Sequence, residues 1–374
     1  MPLQIEPRLA PSRLANVLAP LVAIVLALLF SGILLVAVGV DPLETYRAML
    51  RGAFGSAYAI SETLVRATPL MFTGLAVSIA FRMLFWNIGA EGQLAMGAFA
   101  ASGVALFLSQ SVPWLKGPAL LLAMALAAFA AGAVWGLIPG SLKAFLGVNE
   151  IITSLMLNYV AILWIQYLYY GPWKDPQGFG FPGTARFPDD AVLPRLKDTA
   201  WLPQLFDTGR VHWGLFLAIV AAVLLWLVLD RTRWGYEIKV IGENPRAARY
   251  AGMNIVRNIL LVMIVSGGLA GLAGFSQVAG ISYRLQQGIV VGDGYTAIIV
   301  AWLARLNPFG VLLVATLLAA LFVGGDQIQI TMGLPAAVAQ VLQGAILFFV
   351  LASSFFTQYR IRWTGRRAAV VGEQ

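Results

Sequence analysis

The 374-residue sequence contains no cysteine. That excludes disulfides and thiolate metal sites alike. It has one histidine, His212, so clusters of imidazoles that would hold zinc are excluded too. Charge is scarce: 11% of residues are Asp, Glu, Lys or Arg, where a water-soluble domain carries about a quarter. No Gly-x-x-x-x-Gly-Lys-Ser/Thr loop is present to cradle nucleotide phosphates, and no His-Glu-x-x-His pair or Gly-x-Ser-x-Gly elbow. The chain therefore carries no recognisable catalytic site, metal site or cofactor site, and any ATP it depends on must be hydrolysed by another chain. The net charge of +8 is read as loop charge beside a membrane, not as a nucleic-acid footprint.

What is abundant is apolar sequence, 60% of the chain. A helix that crosses a bilayer needs about 20 apolar residues. Runs of this kind are expected at 15–40, 59–80, 88–109, 118–140, 150–170, 212–229, 258–279, 293–305, 309–323 and 335–357. The expectation is an all-α polytopic bundle of about ten transmembrane helices, filling residues 1–374 as a single transmembrane domain in the lipid bilayer. The eighth and ninth runs are short and read as a broken or re-entrant hairpin, which is tolerated where backbone lines a cavity or is buried in protein. Gly132, Gly136 and Gly140, with Gly267 and Gly271, recur at the four-residue spacing that lets helices approach closely.

Lys and Arg gather in alternate connections, six of them in residues 230–257. This bias sets both termini and that loop on the cytoplasmic side. Residues 171–211 then form an extracytoplasmic loop, rich in Pro, Gly and Asp, whose Trp173, Phe179, Phe181 and Trp201 read as interfacial anchors or partner contacts. His212, at the edge of a span, reads as structural.

Polar groups inside a membrane are costly and are functional candidates by default. Glu62 and Arg66, four apart, are expected to pair on one helix face. In FWNIGAEGQLAMGA, residues 85–98, Asn87 and Gly89 break one helix and a new one begins near Glu91. A helix N-terminus offers free N–H groups and a positive dipole end. Broken-helix ends of this kind contact substrate in transporters. Glu91 reads either as a substrate contact or as a cap, with Gln93 two residues on. Asn158, beside Ser154 on one face, is a candidate hydrogen-bonding group for a polyol or base, or an interhelical bond. Asp293 can cap the eighth span. The substrate-contact set is thus Asn87, Glu91, Gln93, Asn158 and Asp293.

The loop 230–257 holds a two-turn helix legible from its ends. Asn244 suits the N-cap, Pro245 the first helical position and Gly252 the left-handed position past the end. Ala247, Ala248 and Ala251 share one face, and Arg246, Arg249 and Tyr250 another. Two readings fit: a helix that docks in another protein's groove, or one that packs only on its own chain.

Three stretches carry a family resemblance: TPLMFTGLAVSIAFRMLFWNIGAEGQLAMGA (68–98), GVNEIITSLMLNYVA (147–161) and GENPRAARYAGMN (242–254). They resemble the membrane permease subunits of ATP-binding cassette importers, in the branch for simple sugars, branched-chain amino acids and nucleosides, and most of all the nucleoside-type permeases. DGYTAIIVAWLARLNPFG (293–310) is similar to that family's pattern, with Ala301, Trp302 and Ala304 departing from it. The resemblance covers residues 15–357. It implies a non-enzymatic subunit that translocates nucleosides or related ribosides by alternating access across a bacterial-type inner membrane. A ribose- or galactose-type sugar is the alternative substrate, and an ion-coupled carrier the alternative class. It also implies partners: an ATPase subunit, a second permease subunit (identical or different) and an extracytoplasmic solute-binding protein. Glu243, Asn244, Pro245, Arg246, Ala247, Ala248, Arg249, Ala251 and Gly252 would form the coupling helix that meets the ATPase.

Overall fold

The computed structural model describes residues 3–7, 13–198 and 209–363. Trp201, one of the expected anchors, lies with residues 199–208 of the expected outer loop outside the described residues. The helices in chain order are α1 (Arg13–Ala37), α2 (Pro42–Phe54), α3 (Ala57–Arg82), α4 (Ala90–Ser111), α5 (Pro118–Leu146), α6 (Glu150–Tyr170), α7 (Gly214–Arg231), α8 (Arg233–Glu243), α9 (Pro245–Tyr250), α10 (Ile255–Ser282), α11 (Asp293–Leu303), α12 (Pro308–Met332) and α13 (Ala336–Gln358). The fold is a polytopic helical bundle. Among the described residues, eight helices are long and apolar enough to cross a membrane, and nine if the α1–α2 pair, bent by 116°, counts as one.

Two corrections to the expected spans have local causes. The eighth span, α11, is only 11 residues long, about 16 Å at 1.5 Å per residue, which is half a crossing. The ninth is not short: α12 continues past Gly324, Gly325 and Asp326 to Met332, 25 residues in all. An amphipathic helix, α2, was also missed. Its start was legible, since Asp41 accepts from the N–H groups of Leu43 and Glu44 at 2.7 and 3.3 Å and Pro42 follows it.

The chain divides into two compact units. One holds residues 1–50 and 324–374. There α1 packs on α13, and Leu3–Pro7 pairs antiparallel with Tyr359–Trp363, Leu3 opposite Trp363, so these two segments lie side by side. The other holds residues 51–323 and contains every candidate substrate contact.

Within that larger unit, α10 is the central post, packed on α5, α4 and α3. The glycine pattern makes the closest crossing. A Cβ on Gly132 would strike the backbone of Gly267 and Gly271, and one on Gly271 would strike Ala128. A Cβ on Gly97 of α4 would meet Gly271 as well. Three helices thus touch backbone to backbone at one level, where only hydrogen atoms fit. The lower end of this unit is marked by Lys143–Glu150 (2.8 Å), Arg82–Asp230 (3.5 Å) and the 230–257 loop. The upper end is covered by the described parts of 171–211. That loop is stitched down by Thr184 to Leu285, Phe187 to Tyr283 and Leu193 to Ala279. His212 lies buried beneath it, its Nδ1 accepting from Gly214 N–H and its ring against Gly280, a packing role.

Candidate functional site

Two interruptions position the site. After Arg82 the chain leaves helical geometry, with Leu84 at φ +55, and resumes at Ala90. After the π-helical end of α10 it runs without helix from Tyr283 to Gly292, passing Gly288 and Gly292 at φ +91 and +93, then starts α11. The two new helices begin at the same place and run in opposite directions. α4 rises toward the upper end. α11 descends to Leu306, whose carbonyl accepts from Ser78 Oγ and Arg82 Nε at 2.9 and 3.1 Å. Their N-termini meet backbone to backbone: a Cβ on Gly294 would lie 2.6 Å from Glu91 Cα.

Two facing N-termini concentrate free N–H groups and two positive dipole ends. The side chains answer that need. Glu91 accepts from Gly292 N–H and Gly294 N–H of the opposing helix, at 2.7 and 2.5 Å. It therefore caps α11 and not its own helix. Asn158 Oδ1 accepts from Gly92 N–H of α4 at 2.8 Å, and its Nδ2 donates to Ile88 O and to the Tyr295 hydroxyl, at 2.9 and 3.2 Å. Asn87 and Gln93 exchange two side-chain bonds of 3.0 and 3.1 Å. Asn87 also donates to Ser266 Oγ at 2.9 Å and accepts from Gly89 N–H at 3.0 Å. Asp293 takes Gln277 Nε2 at 3.0 Å on one oxygen; the other faces Arg66 at 3.2 Å, an ion pair without an aligned hydrogen bond. Asn87, Glu91, Gln93, Asn158 and Asp293 are all buried. The five residues therefore stand at one junction, engaged mainly with each other and with the backbone.

The junction lies well inside the bundle. Asn158 is about 12 Å above the start of α6 and Ser266 about 16 Å above the start of α10, at 1.5 Å per residue. Two expectations change here. Glu62 and Arg66 do not pair with each other. Arg66 reaches in to Asp293, and Glu62 reaches out to Arg210, which binds it through two nitrogens. A buried carboxyl and a loop guanidinium are better partners than a helix neighbour whose solvated charge gains little. Nor does Asp293 cap its helix from the outer side: Gly292 is the N-cap, and Glu91 supplies the oxygens. Ser266, Gln277 and Tyr295 were not singled out in sequence. Each lies more than 100 residues from the partner it meets or on another helix, and a single hydroxyl or amide in an apolar run gave no signal.

The second candidate element is α9. Asn244 Oδ1 accepts from Arg246 N–H and Ala247 N–H at 3.0 and 3.1 Å. Pro245 is the first residue of the helix, and Gly252 at φ +77 ends it, with Met253 N–H on Ala248 O. Of the alanine face only Ala248 is buried; Ala247 and Ala251 are open, and Tyr250 is 97% exposed. A cleft of about 530 Å³ borders Pro245, Arg246, Arg249 and Tyr250. α8 holds this unit against the bundle, since Gly242 rests on the backbone of Arg82 and Met83.

A bundle of apolar helices in which two helices start at one buried polar junction inside the bundle is the architecture of a membrane transport protein. Residues 59–351 match the family model described as the permease component of branched-chain amino acid transport systems, and the chain belongs to that family. It is 40% identical to a glucose ABC transporter permease of Haloferax volcanii, over 96% of this chain and 93% of the relative. It is 36% identical to a guanosine ABC transporter permease of Bacillus subtilis, over 91% and 94%. A nucleoside ABC transporter permease of Lactococcus lactis is 32% identical over 90% of each chain. No solved structure matches the chain. The protein is thus an ABC-transporter permease, a transport component.

Proposed function

We propose that the chain translocates nucleosides or related ribosides inward across a bacterial-type inner membrane, by alternating access driven by a separate ATPase. The observation that carries this reading is the internal pairing of charge at the junction. Glu91 is taken by two backbone N–H groups, and Asp293 by Arg66 and Gln277. An amino-acid zwitterion would need a free cation and a free anion at that depth, because an unpaired charge there is costly. A neutral polyol or base needs neither. The guanosine and nucleoside permeases among the relatives favour a nucleoside; the glucose permease favours the second reading, a sugar, which is equally neutral.

In this reading both termini and the 230–257 loop are cytoplasmic, and 171–211 faces a solute-binding protein. A second permease chain completes the passage. Asn87, Glu91, Gln93, Asn158 and Asp293 hold the junction past which the solute moves. Residues Glu243 to Arg249, with Ala251 and Gly252, form the coupling helix, and the open Ala247 and Ala251 accept the wall of the ATPase groove. The test is uptake of radiolabelled guanosine, glucose and leucine into proteoliposomes holding the chain with its ATPase, second permease and binding protein. Guanosine uptake that needs ATP and every component is the expected result. Glucose uptake alone would give the second reading, and leucine uptake or gradient-driven uptake by this chain alone would end both.

A further inference from the structure

We infer that the uncovered face of α11, from Tyr295 to Trp302, together with Trp86, is the wall of the water-filled passage and the surface on which a ring of the transported solute stacks. The inference deepens the reading above and rests on it for the solute. Tyr295, Ile299 and Trp302 lie on one face of α11 by i+4 and i+7 spacing, about 10 Å from end to end. Tyr295 is 37% exposed and Trp302 40%. Trp86, 37% exposed, stands beside Trp302 with ring centroids 5.9 Å apart, and Phe81 backs both at 4.9 and 6.3 Å. The opposite face of α11, at Ala297, Val300 and Ala301, is buried.

The chain leading into this face decides what covers it. Gln287, Gly288 and Val291 are exposed, and they belong to a non-helical segment that descends from the upper end to the junction. Its upper part is fixed by Tyr170, whose hydroxyl donates to Gln287 Oε1 at 3.3 Å. Peptide groups outside a helix at that depth are not stable against hydrocarbon; they need water or protein. This chain leaves them bare. The α11 face is continuous with them, so it too is turned away from lipid, and with the second permease closing the passage it meets water. Its chemistry suits a neutral ring: broad aromatic faces, sequence-tolerant in what they stack on, and a Tyr295 hydroxyl that accepts from Asn158 while keeping its own proton to donate. The junction's polar side chains are engaged mainly with each other and with the backbone, and the stacking surface lies beside them.

The absence of cysteine makes the test direct. Ile299→Cys places one thiol between Tyr295 and Trp302 and leaves both rings intact. Leu126→Cys, on the exposed apolar flank of α5, is the lipid reference. Both are assembled with the ATPase, second permease and binding protein, and this chain is scored for modification by a membrane-impermeant charged thiosulfonate. Only a thiolate reacts, and it forms in water, so Ile299→Cys should react about tenfold faster or more than Leu126→Cys. Guanosine should slow it, and adding Trp302→Ala should abolish that protection while Trp302→Phe keeps it. Protection by glucose and not guanosine would keep the wall and remove the nucleoside reading. Reaction no faster than Leu126→Cys, in chain that reaches the membrane in normal amount, would overturn the inference, as would rapid reaction that no transported solute slows.

Discussion

The junction of α4 and α11 and the short helix α9 are both built around helix N-termini, yet the chain finishes one and leaves the other open. At the junction side chains answer four N–H groups of the two helix starts: Glu91 takes those of Gly292 and Gly294 across the gap, Asn158 from α6 that of Gly92, and Asn87 that of Gly89. At α9, Asn244 closes two N–H groups and nothing more; the flanks, with Arg246, Arg249 and Tyr250, meet solvent. Both ends are capped because an uncapped end is unstable anywhere. Only the buried one must also satisfy its side chains within the chain, because a buried polar group left unpaired is costly. The difference separates what holds the fold from what is held ready for a partner.

Substitutions at the two places should differ accordingly. Glu91→Ala strands two buried N–H groups at once, a loss of about 2–6 kcal/mol at 1–3 kcal/mol each. It should sharply reduce the fraction of detergent-solubilised chain that survives heating. An unchanged melting midpoint would mean that water or another chain reaches Gly292 and Gly294. Gly294→Ala comes next. The new methyl would sit 2.6 Å from Glu91 Cα and force the two helix starts apart, at about 1–3 kcal/mol. Its midpoint should fall by less than that of Glu91→Ala, and the reverse order would mean that packing, not hydrogen bonding, holds the junction.

Asn244→Ala should cost only about 1 kcal/mol, the usual worth of an N-cap side chain. Because α9 is so short, the loss should appear first as faster amide exchange over residues 245–250. Smallest of all for the fold is Arg246→Glu combined with Ala247→Trp, on the open side of α9: stability should stay within about 0.5 kcal/mol. Yet ATPase stimulation by solute should be lost in the assembled transporter. If stimulation survives while the protein stays folded, α9 is not the coupling element.

Much of this was legible in the sequence, and the parts that were not share a cause. Helix ends were readable where one residue type has one physical use, as with Asn244, Pro245 and Gly252 around α9. The break at Asn87 and Gly89 was readable for the same reason. The candidates Glu91 and Asp293 could be named singly, because charge in an apolar run is conspicuous. That Glu91 would cap the helix beginning at Asp293 was not readable, since Glu91 and Gly294 lie 203 residues apart and no local pattern links them. The expected Glu62–Arg66 pair failed in the same way: helical spacing showed which groups were near, and the tertiary fold offered each a better partner.

The head-to-head meeting of α4 and α11 also has a meaning for the membrane potential. Each helix N-terminus carries roughly half a positive charge, and the two together about one, the amount a single ionised carboxyl group offsets. The axial dipoles of the two helices point in opposite directions and so offset each other in part, and Arg66 and Asp293 form a neutral pair. Moving a whole elementary charge through 100 mV involves about 2.3 kcal/mol. Rearranging this junction moves almost none, so the voltage across the membrane does little work on it. Transport of an uncharged solute past it should then run at nearly the same rate in polarised and depolarised vesicles, with ATP alone setting the pace.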